Sequence, residues 1–559
     1  MSEKYEQDEK ASIGSYKSEE AYHEEENHGP EPTEEDWKNL REVADSLPLA
    51  AYLVIVIEFC ERFTYYGLTG PFQNYIQYPA PESYPADQAG AMGKGQQTAT
   101  ALTTFFQFWC YITPIIGAIV ADQFLGKYKT IILFAFTYLT GLIILTATSS
   151  PMAIASGAAF PGFIVAIIII GLGTGGIKSN VAPLVAEQYQ SKGAFVRTTK
   201  KGERVIVSPQ ATYQKIFLYF YWGINIGSLS AIATTELEKN VGFWPAYLLP
   251  TIMFIPGIAV VLLGRKRYVV APPRGSVFVE AGKLFWYSKK VGGMDNCKPS
   301  KLAIDHPELA AKATWDDVFV DELKRALKAC VVFCWYPFYW LCYSQITNNL
   351  ISQASTMWTG NVPNDIMQNI DPLTVIILVP IFDNIIYPTF RRFGYHFRPI
   401  LRITLGFFFA SVAMAYTAGI QSKIYAALPE KISAGYQIPS YFFVALSEIF
   451  ASVTGNEYAY KKAPQSMKSI VMALFLLTNC FASILSFALV PVTVDPKLTW
   501  MYTGIAATAF ICCIGVWVCH HKNDDVDVED DAIGRSEEEN KKYNIDKKEE
   551  DYEVDRTTA

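Results

Sequence analysis

Three charges and two phenols fall on one face of a single apolar segment. Within residues 47–78, Glu58, Glu61, Arg62, Tyr65, Tyr66 and Thr69 are spaced at i, i+3, i+4, i+7, i+8 and i+11. That spacing sets them along one side of a helix. The residues around them are apolar enough for the run to cross a membrane. There, each charge near the bilayer centre costs about 2.5–3.5 kcal/mol on insertion scales. A stripe of this kind belongs on a water-filled cavity or a proton path, not on lipid. Its chemistry is ion pairing and proton transfer.

Further polar residues sit in other apolar runs. Lys178 lies in 160–185, two residues before Asn180. Its ammonium needs a carboxylate partner or an aqueous cavity, unless it snorkels to the interface. Glu448 falls about eleven residues into 437–457, near mid-membrane at ~1.5 Å per residue, and is the only acid in 439–456. It suits a substrate ammonium or a proton; the alternative is an acid hydrogen-bonded for packing alone. Asn225 and Tyr111 sit at similar depth, and each lines the same cavity or joins two helices. The stretch Gly171-Leu-Gly-Thr-Gly-Gly176 matches G-x-G-x-x-G literally, but no strand precedes it and it lies in a membrane run. Close helix packing is the better use for these glycines. All six histidines lie in tails, the central linker or loop edges, so a histidine metal site or relay within the membrane is not expected. No Ser-His-Asp set, HExxH motif or nucleotide-binding pattern argues for an enzyme or a bound cofactor.

The elements that must position these groups are membrane helices. The chain has 559 residues, 51% hydrophobic and only 18% charged. Runs of roughly 20 apolar residues occur near 47–78, 98–121, 129–148, 160–185, 214–235, 244–264, 327–351, 372–390, 399–420, 437–457, 469–493 and 498–519. The fold expected is all-α and polytopic, with about twelve spans. Lys and Arg cluster after the even-numbered runs, which predicts cytoplasmic termini. No basic patch with a short apolar core marks a cleavable signal peptide, so the first membrane helix is expected to start insertion. The net charge of −7 offers nothing to a nucleic acid. Residues 1–46 and 520–559 read as disordered acidic tails, either plain solvated chain or a platform for a kinase or ubiquitin ligase. Of the ten cysteines, nine lie in or beside spans and Cys297 in the linker, so no structural disulfide is expected.

A polar stretch, 265–326, separates an N-terminal six-helix bundle (47–264) from a C-terminal one (327–519), and within it 315–326 reads as an amphipathic helix. A weak repeat links the halves. Asp122 precedes Gly126-Lys127, and Asp383 precedes Arg391-Arg392. An acid at a helix end followed by a basic turn fits a gate staple on the cytoplasmic face, with an ordinary basic loop as the alternative.

Four stretches carry a resemblance to a known family. They are Glu58-x-x-Glu61-Arg62-Phe63-x-Tyr65-Tyr66, then Gly173-Thr-Gly-Gly-Ile-Lys178-Ser-Asn180 ending in Glu187-Gln188-Tyr189. The third is Phe220-Tyr221-Trp-Gly-Ile-Asn225-Ile-Gly227-Ser228-Leu229. The fourth is Ala463-Pro464-Gln-Ser-Met467-Lys468-Ser469, after Glu448 and Glu457-Tyr458. Together they resemble the proton-coupled oligopeptide transporters of the major facilitator superfamily, and most of all fungal plasma-membrane members.

That resemblance implies proton symport of di- and tripeptides by alternating access between two six-helix bundles. It also implies roles. Arg62 and Lys178 would meet the peptide carboxylate, and Glu448 and Asn225 its amino end and backbone. Tyr65, Tyr66, Tyr111 and Tyr343 would line the cavity. Glu58 and Glu61, with Arg62, would couple proton movement. Three positions depart from the family pattern: Thr69 stands where many members have Arg, Ser344 where many have an acid, and Asp371 where Asn is common. Asp371 supplies a replacement acid or merely caps a helix. Two rivals remain: a carrier of nitrate or another small anion, which would have no use for Glu448, and a nutrient receptor without net transport.

Overall fold

The computed structural model describes residues 29–190, 193–199, 202–270, 272–273, 275–393, 398–462 and 467–521. It is almost wholly helical. Two elements precede the bundle, α1 (Glu34–Asn39) and β1 (Glu42–Val43). The N-terminal half then runs α2 (Leu49–Thr69), α3 (Phe72–Gln77), α4 (Gly95–Val120), α5 (Lys127–Thr148) and α6 (Ala159–Glu187). After β2 (Phe195–Thr198) and β3 (Arg204–Val207) come α7 (Pro209–Ser228), α8 (Ser230–Asn240) and α9 (Phe243–Leu263). The linker carries α10 (Val277–Val291) and α11 (Asp317–Ala329). The C-terminal half begins with α12 (Tyr336–Ser344), α13 (Asn349–Ser355), α14 (Ile370–Ile381), α15 (Tyr387–Arg392) and α16 (Pro399–Ala427). It closes with α17 (Ile438–Ser447), α18 (Thr454–Lys462), α19 (Lys468–Leu489) and α20 (Leu498–His520).

Among the described residues, nine helices are long and apolar enough to cross a membrane. The three expected spans outside that set are 47–78, 327–351 and 372–390. In α2, Glu58, Glu61 and Arg62 interrupt the apolar run, and the helix stops at Gly70-Pro71 before α3 resumes. The run 327–351 is broken by 3-10 turns at Cys330–Trp335 and Gln345–Thr347. The run 372–390 passes through a π-helical segment, Phe382–Ile386.

Each half has its own hydrophobic core. One draws on α2 to α9 and the other on α12 to α20. Leu284, Cys297, Trp315, Val320 and Leu323 of the linker join the second core, so the linker is packed on the C-terminal half. The amphipathic helix expected there is α11, and the Asp316 carboxylate caps it by accepting from Phe319 N at 2.8 Å.

The repeat is visible in the backbone. Asp122 and Asp383 each occupy the second place of a five-residue π-helical segment, Ala121–Leu125 and Phe382–Ile386. An ion pair also recurs: Lys127 at the start of α5 meets Glu187 at the end of α6, and Arg402 at the start of α16 meets Glu457 in α18 at 3.6 Å.

One expectation fails at the N-terminus. The acidic tail was expected to be disordered to residue 46, yet 33–43 are structured. Thr33 and Asp36 form a capping box at α1. β1 lies parallel to β3 with Glu42 beside Ile206, and β2 lies antiparallel to β3. Arg197 pairs with Asp45 at 3.2 Å and Arg204 with Asp36 at 3.2 Å. A two-residue strand whose partner lies some 160 positions away leaves no periodic signal to read. Residues 1–28 and 522–559, the rest of the expected tails, lie outside the described residues.

Candidate functional site

The charged face of α2 is held by glycines on its neighbours. A Cβ at Gly227 of α7 would lie 2.9 Å from Arg62 Cβ, so only glycine lets α7 approach α2 this closely. On α6, a Cβ at Gly173 would lie 2.6 Å from Tyr138 Cβ, and one at Gly176 would enter the Phe134 ring at 2.0 Å. These glycines seat α6 against α5 and bring Lys178 toward α2. The packing role read from the sequence is the one they have.

Glu58, Glu61 and Arg62 are buried together. Arg62 Nε lies 3.2 Å from Glu58 Oε1, and Arg62 Nη2 pairs with Glu61 Oε2. By distance these are ion pairs, but they are not aligned as hydrogen bonds. Both Glu61 carboxylate oxygens and Arg62 Nε and Nη2 therefore lack an aligned partner among the described residues. The guanidinium also sits 5.1 Å from the Tyr65 ring centroid, and Tyr65 meets Tyr66 edge to face at 5.4 Å. Lys178 Nζ lies 4.1 Å from the Tyr111 ring centroid, a cation–π contact. Lys178 feels the fields of Arg62, Glu61 and Glu58. The N-terminal half thus presents two cations backed by two carboxylates and faced with phenols.

The C-terminal half presents the opposite charge. Glu448 opens the π-helical segment Glu448–Val453, which follows α17. Its carboxyl is in hydrogen-bonding contact with that of Asp371. Tyr343 donates its hydroxyl to Asp371 Oδ2 at 3.4 Å. Asp371 is not the cap of α14, since that place belongs to Asn369; it is a buried acid beside Glu448. Its part in the site was left open in the sequence because its partner lies 77 positions away. Asn225 is half-buried on α7 and bonds the Tyr221 carbonyl of its own helix at 2.8 Å. Thr69 and Ser344, two of the three departures, also bond carbonyls of their own helices, of Tyr65 at 2.9 Å and Leu341 at 3.0 Å.

At the expected gate, Asp122 is half-buried, and the Lys127 ammonium pairs with Glu187. Glu187 stood in the motif Glu187-Gln188-Tyr189 without an assigned role. Asp383 and Arg391 lie in helical backbone, but their side chains are outside the described residues, as is Ala463–Ser466 of the fourth motif.

The halves meet at the end where α2 finishes and α20 begins, here called distal. Gln73 donates to Ser352 Oγ at 2.9 Å, Thr100 and Gln96 to Asn349 Oδ1 at 3.1 and 3.2 Å, and Gln107 to Thr347 at 3.0 Å. Tyr78 bonds Ser355. An uncharged amide and hydroxyl seam therefore closes this end.

Comparison with known proteins shows the family of the chain. A family model described as PTR2, the POT family, matches residues 128–508. The probable peptide transporter ptr2 of Schizosaccharomyces pombe is 49% identical over 516 residues, covering 90% of this chain and 83% of its own. The peptide transporter PTR2 of Saccharomyces cerevisiae is 44% identical over 520 residues, covering 91% and 85%. In fold, an auto inhibited POT family peptide transporter superposes with a TM-score of 0.69 at 24% identity, covering 85% of this chain and 97% of that one. The POT family transporter PepTSo gives 0.68 at 22%, covering 86% and 99%. With matches along most of its length and the fold of solved members, the chain belongs to the POT family.

Proposed function

We propose that this protein is a proton-driven symporter of di- and tripeptides, working by alternating access between two six-helix halves, twelve spans in all. The observation that carries the reading is the opposed charge of the two halves: Arg62 and Lys178 on one, Glu448 with Asp371 on the other. A peptide is a zwitterion whose carboxylate and ammonium are separated by its backbone, and it fits between such poles whatever its side chains. Asn225 and the phenols of Tyr65, Tyr66, Tyr111 and Tyr343 would meet the backbone. A small anion would leave the acidic pole without a partner, which disfavours a nitrate carrier.

Coupling follows from the crowded ion pairs on α2. A proton reaching Glu58 or Glu61 removes one of the carboxylates competing for Arg62 and frees the guanidinium for the peptide carboxylate. The transmembrane potential adds about 2.3 kcal/mol per charge per 100 mV, so an entering proton drives accumulation. No cofactor is required. Basic residues after the even spans favour cytoplasmic termini, and kinship with fungal carriers favours the plasma membrane. Under that orientation the closed distal end faces outward and the cavity inward.

The test is uptake of labelled Ala-Ala by proteoliposomes, with and without an inward proton gradient. Wild type should accumulate the dipeptide only with the gradient, and Glu448→Gln should lose accumulation. Binding without uptake would leave a receptor and sink the transporter reading.

A further inference from the structure

Transport as proposed makes no use of a second pair of buried acids, which joins the halves at the distal end. Glu238 lies near the end of α8 in the N-terminal half, and Asp365 in the 3-10 turn Asn364–Asn369 of the C-terminal half. Both are fully buried. Their carboxyls are in hydrogen-bonding contact. Asn74 Nδ2 donates to Glu238 Oε1 at 2.9 Å and to Asn364 Oδ1 at 2.9 Å, and Asn364 Nδ2 returns a bond to Asn74 Oδ1 at 3.0 Å. Glu238 Oε2 and both Asp365 carboxylate oxygens have no donor among the described residues. Two ionised carboxylates are acceptors only and cannot bond each other. With both groups sealed among amides and rings, the cation that fits between them is a proton.

We propose that Glu238 and Asp365 share one proton when the distal end is closed, forming a proton-dependent latch between the two halves. The proposal rests on alternating access but not on the identity of the substrate. The groups facing the pair do not supply a fixed countercharge. Tyr84, Tyr247 and Tyr441 present phenols. On α8 itself, Glu236 and Lys239 act on Asp365 with opposite signs. Burial pushes the Asp365 carboxyl above the ordinary carboxylate range, and the shift is shared with its coupled partner.

The sign follows. An opened pair is hydrated and titrates near the ordinary carboxylate range of about 4. The closed state therefore holds a proton that the open state has lost from about pH 4 upward, until the buried pair itself ionises. Closing is favoured as pH falls and is lost as pH rises through the range in which the buried pair gives up its proton. Closure takes a proton from the distal medium and reopening returns it there, so this proton gates the carrier without crossing it.

The test uses full-length protein in lipid nanodiscs without peptide. Exposed Cys334 and Cys519 are replaced by serine, and spin labels are placed at Glu82→Cys and Val362→Cys. Electron–electron distances are recorded from pH 5 to 8.5. In the wild type the open-to-closed ratio should rise with pH, by at most about tenfold per unit, the limit for one linked proton. Glu238→Gln and Asp365→Asn each supply an amide donor without a proton, so both should stay closed with little pH response. A pH-independent distribution in the wild type, or a wild-type slope that survives in both variants, overturns the latch. Either variant alone carries the test if the other is not monodisperse.

Discussion

Asp371 and Glu448 place two carboxyls in contact, and the Tyr343 phenol donates to Asp371. Unlike the sealed pair at the distal end, Glu448 is only half-buried, so a cation larger than a proton can reach it. A peptide ammonium satisfies both acids at once. Hydrogen bonds to charged groups contribute about 1.5–3 kcal/mol, so Asp371→Asn should raise KM for free dipeptides about tenfold to a hundredfold, with a smaller effect on kcat. Competition assays against an N-acetylated dipeptide check this, because that ligand has no ammonium to lose. Equal weakening of both ligands would assign Asp371 a packing role instead. Much of this site was legible residue by residue. Glu58, Glu61, Arg62, Lys178 and Glu448 announce themselves as charges in apolar runs, because burying a charge is expensive. Asp371 does not, since it stands at the edge of its run, where an acid is ordinary.

At the scale of elements, the helices that carry the site are defined by what lets them approach one another. The glycines of α6 were legible as packing residues because nothing else explains so many in a membrane run. At Gly176 the added methyl of Gly176→Ala would collide with Phe134, itself buried in the core of that half. Overpacking of this kind costs about 1–3 kcal/mol. The variant should therefore show a lower Tm in detergent and a weaker peptide affinity, since the displaced helix carries Lys178. A fluorescence-monitored melt with a binding titration reads both effects, and a Tm equal to wild type would refute the packing argument. The linker offers a second case. Trp315 is 6% exposed, and its indole nitrogen donates to the Cys297 carbonyl at 3.1 Å. Trp315→Ala removes an aromatic from the core shared with the C-terminal half, a change costing about 3–5 kcal/mol in comparable sites. Faster tryptic cleavage at Lys298 and Lys301, with uptake retained, is the expected result. The broken run 327–351 and the short β1 were not legible, because 3-10 turns and a distant strand pairing are decided by tertiary contacts.

The molecule as a whole is two cores joined by a polar seam, and the seam sets which end is shut. Almost none of it could be read from the sequence: Gln73, Gln96, Thr100 and Asn349 are ordinary residues near helix ends until the halves are brought together. Their energetics are nevertheless constrained. Asn349 is 3% exposed; its Oδ1 accepts from Thr100 and Gln96, and its Nδ2 donates to Gln345 Oε1 at 2.7 Å. Truncating one partner leaves the others buried without a bond, at about 1–3 kcal/mol. In the open state those groups meet water and lose nothing. The whole cost thus falls on the closed state, and Asn349→Ala should shift the distal equilibrium about fivefold to a hundredfold toward open. Replacing both sides with apolar groups removes much of the penalty, so Thr100→Val combined with Asn349→Leu should partly restore closure. The same spin-label distances at Glu82→Cys and Val362→Cys measure the populations. Because neither residue titrates, the pH slope should remain that of the wild type while the midpoint of opening moves to lower pH. Additive opening in the double variant would mean that the seam contributes packing alone and that its hydrogen bonds do not hold the distal end closed.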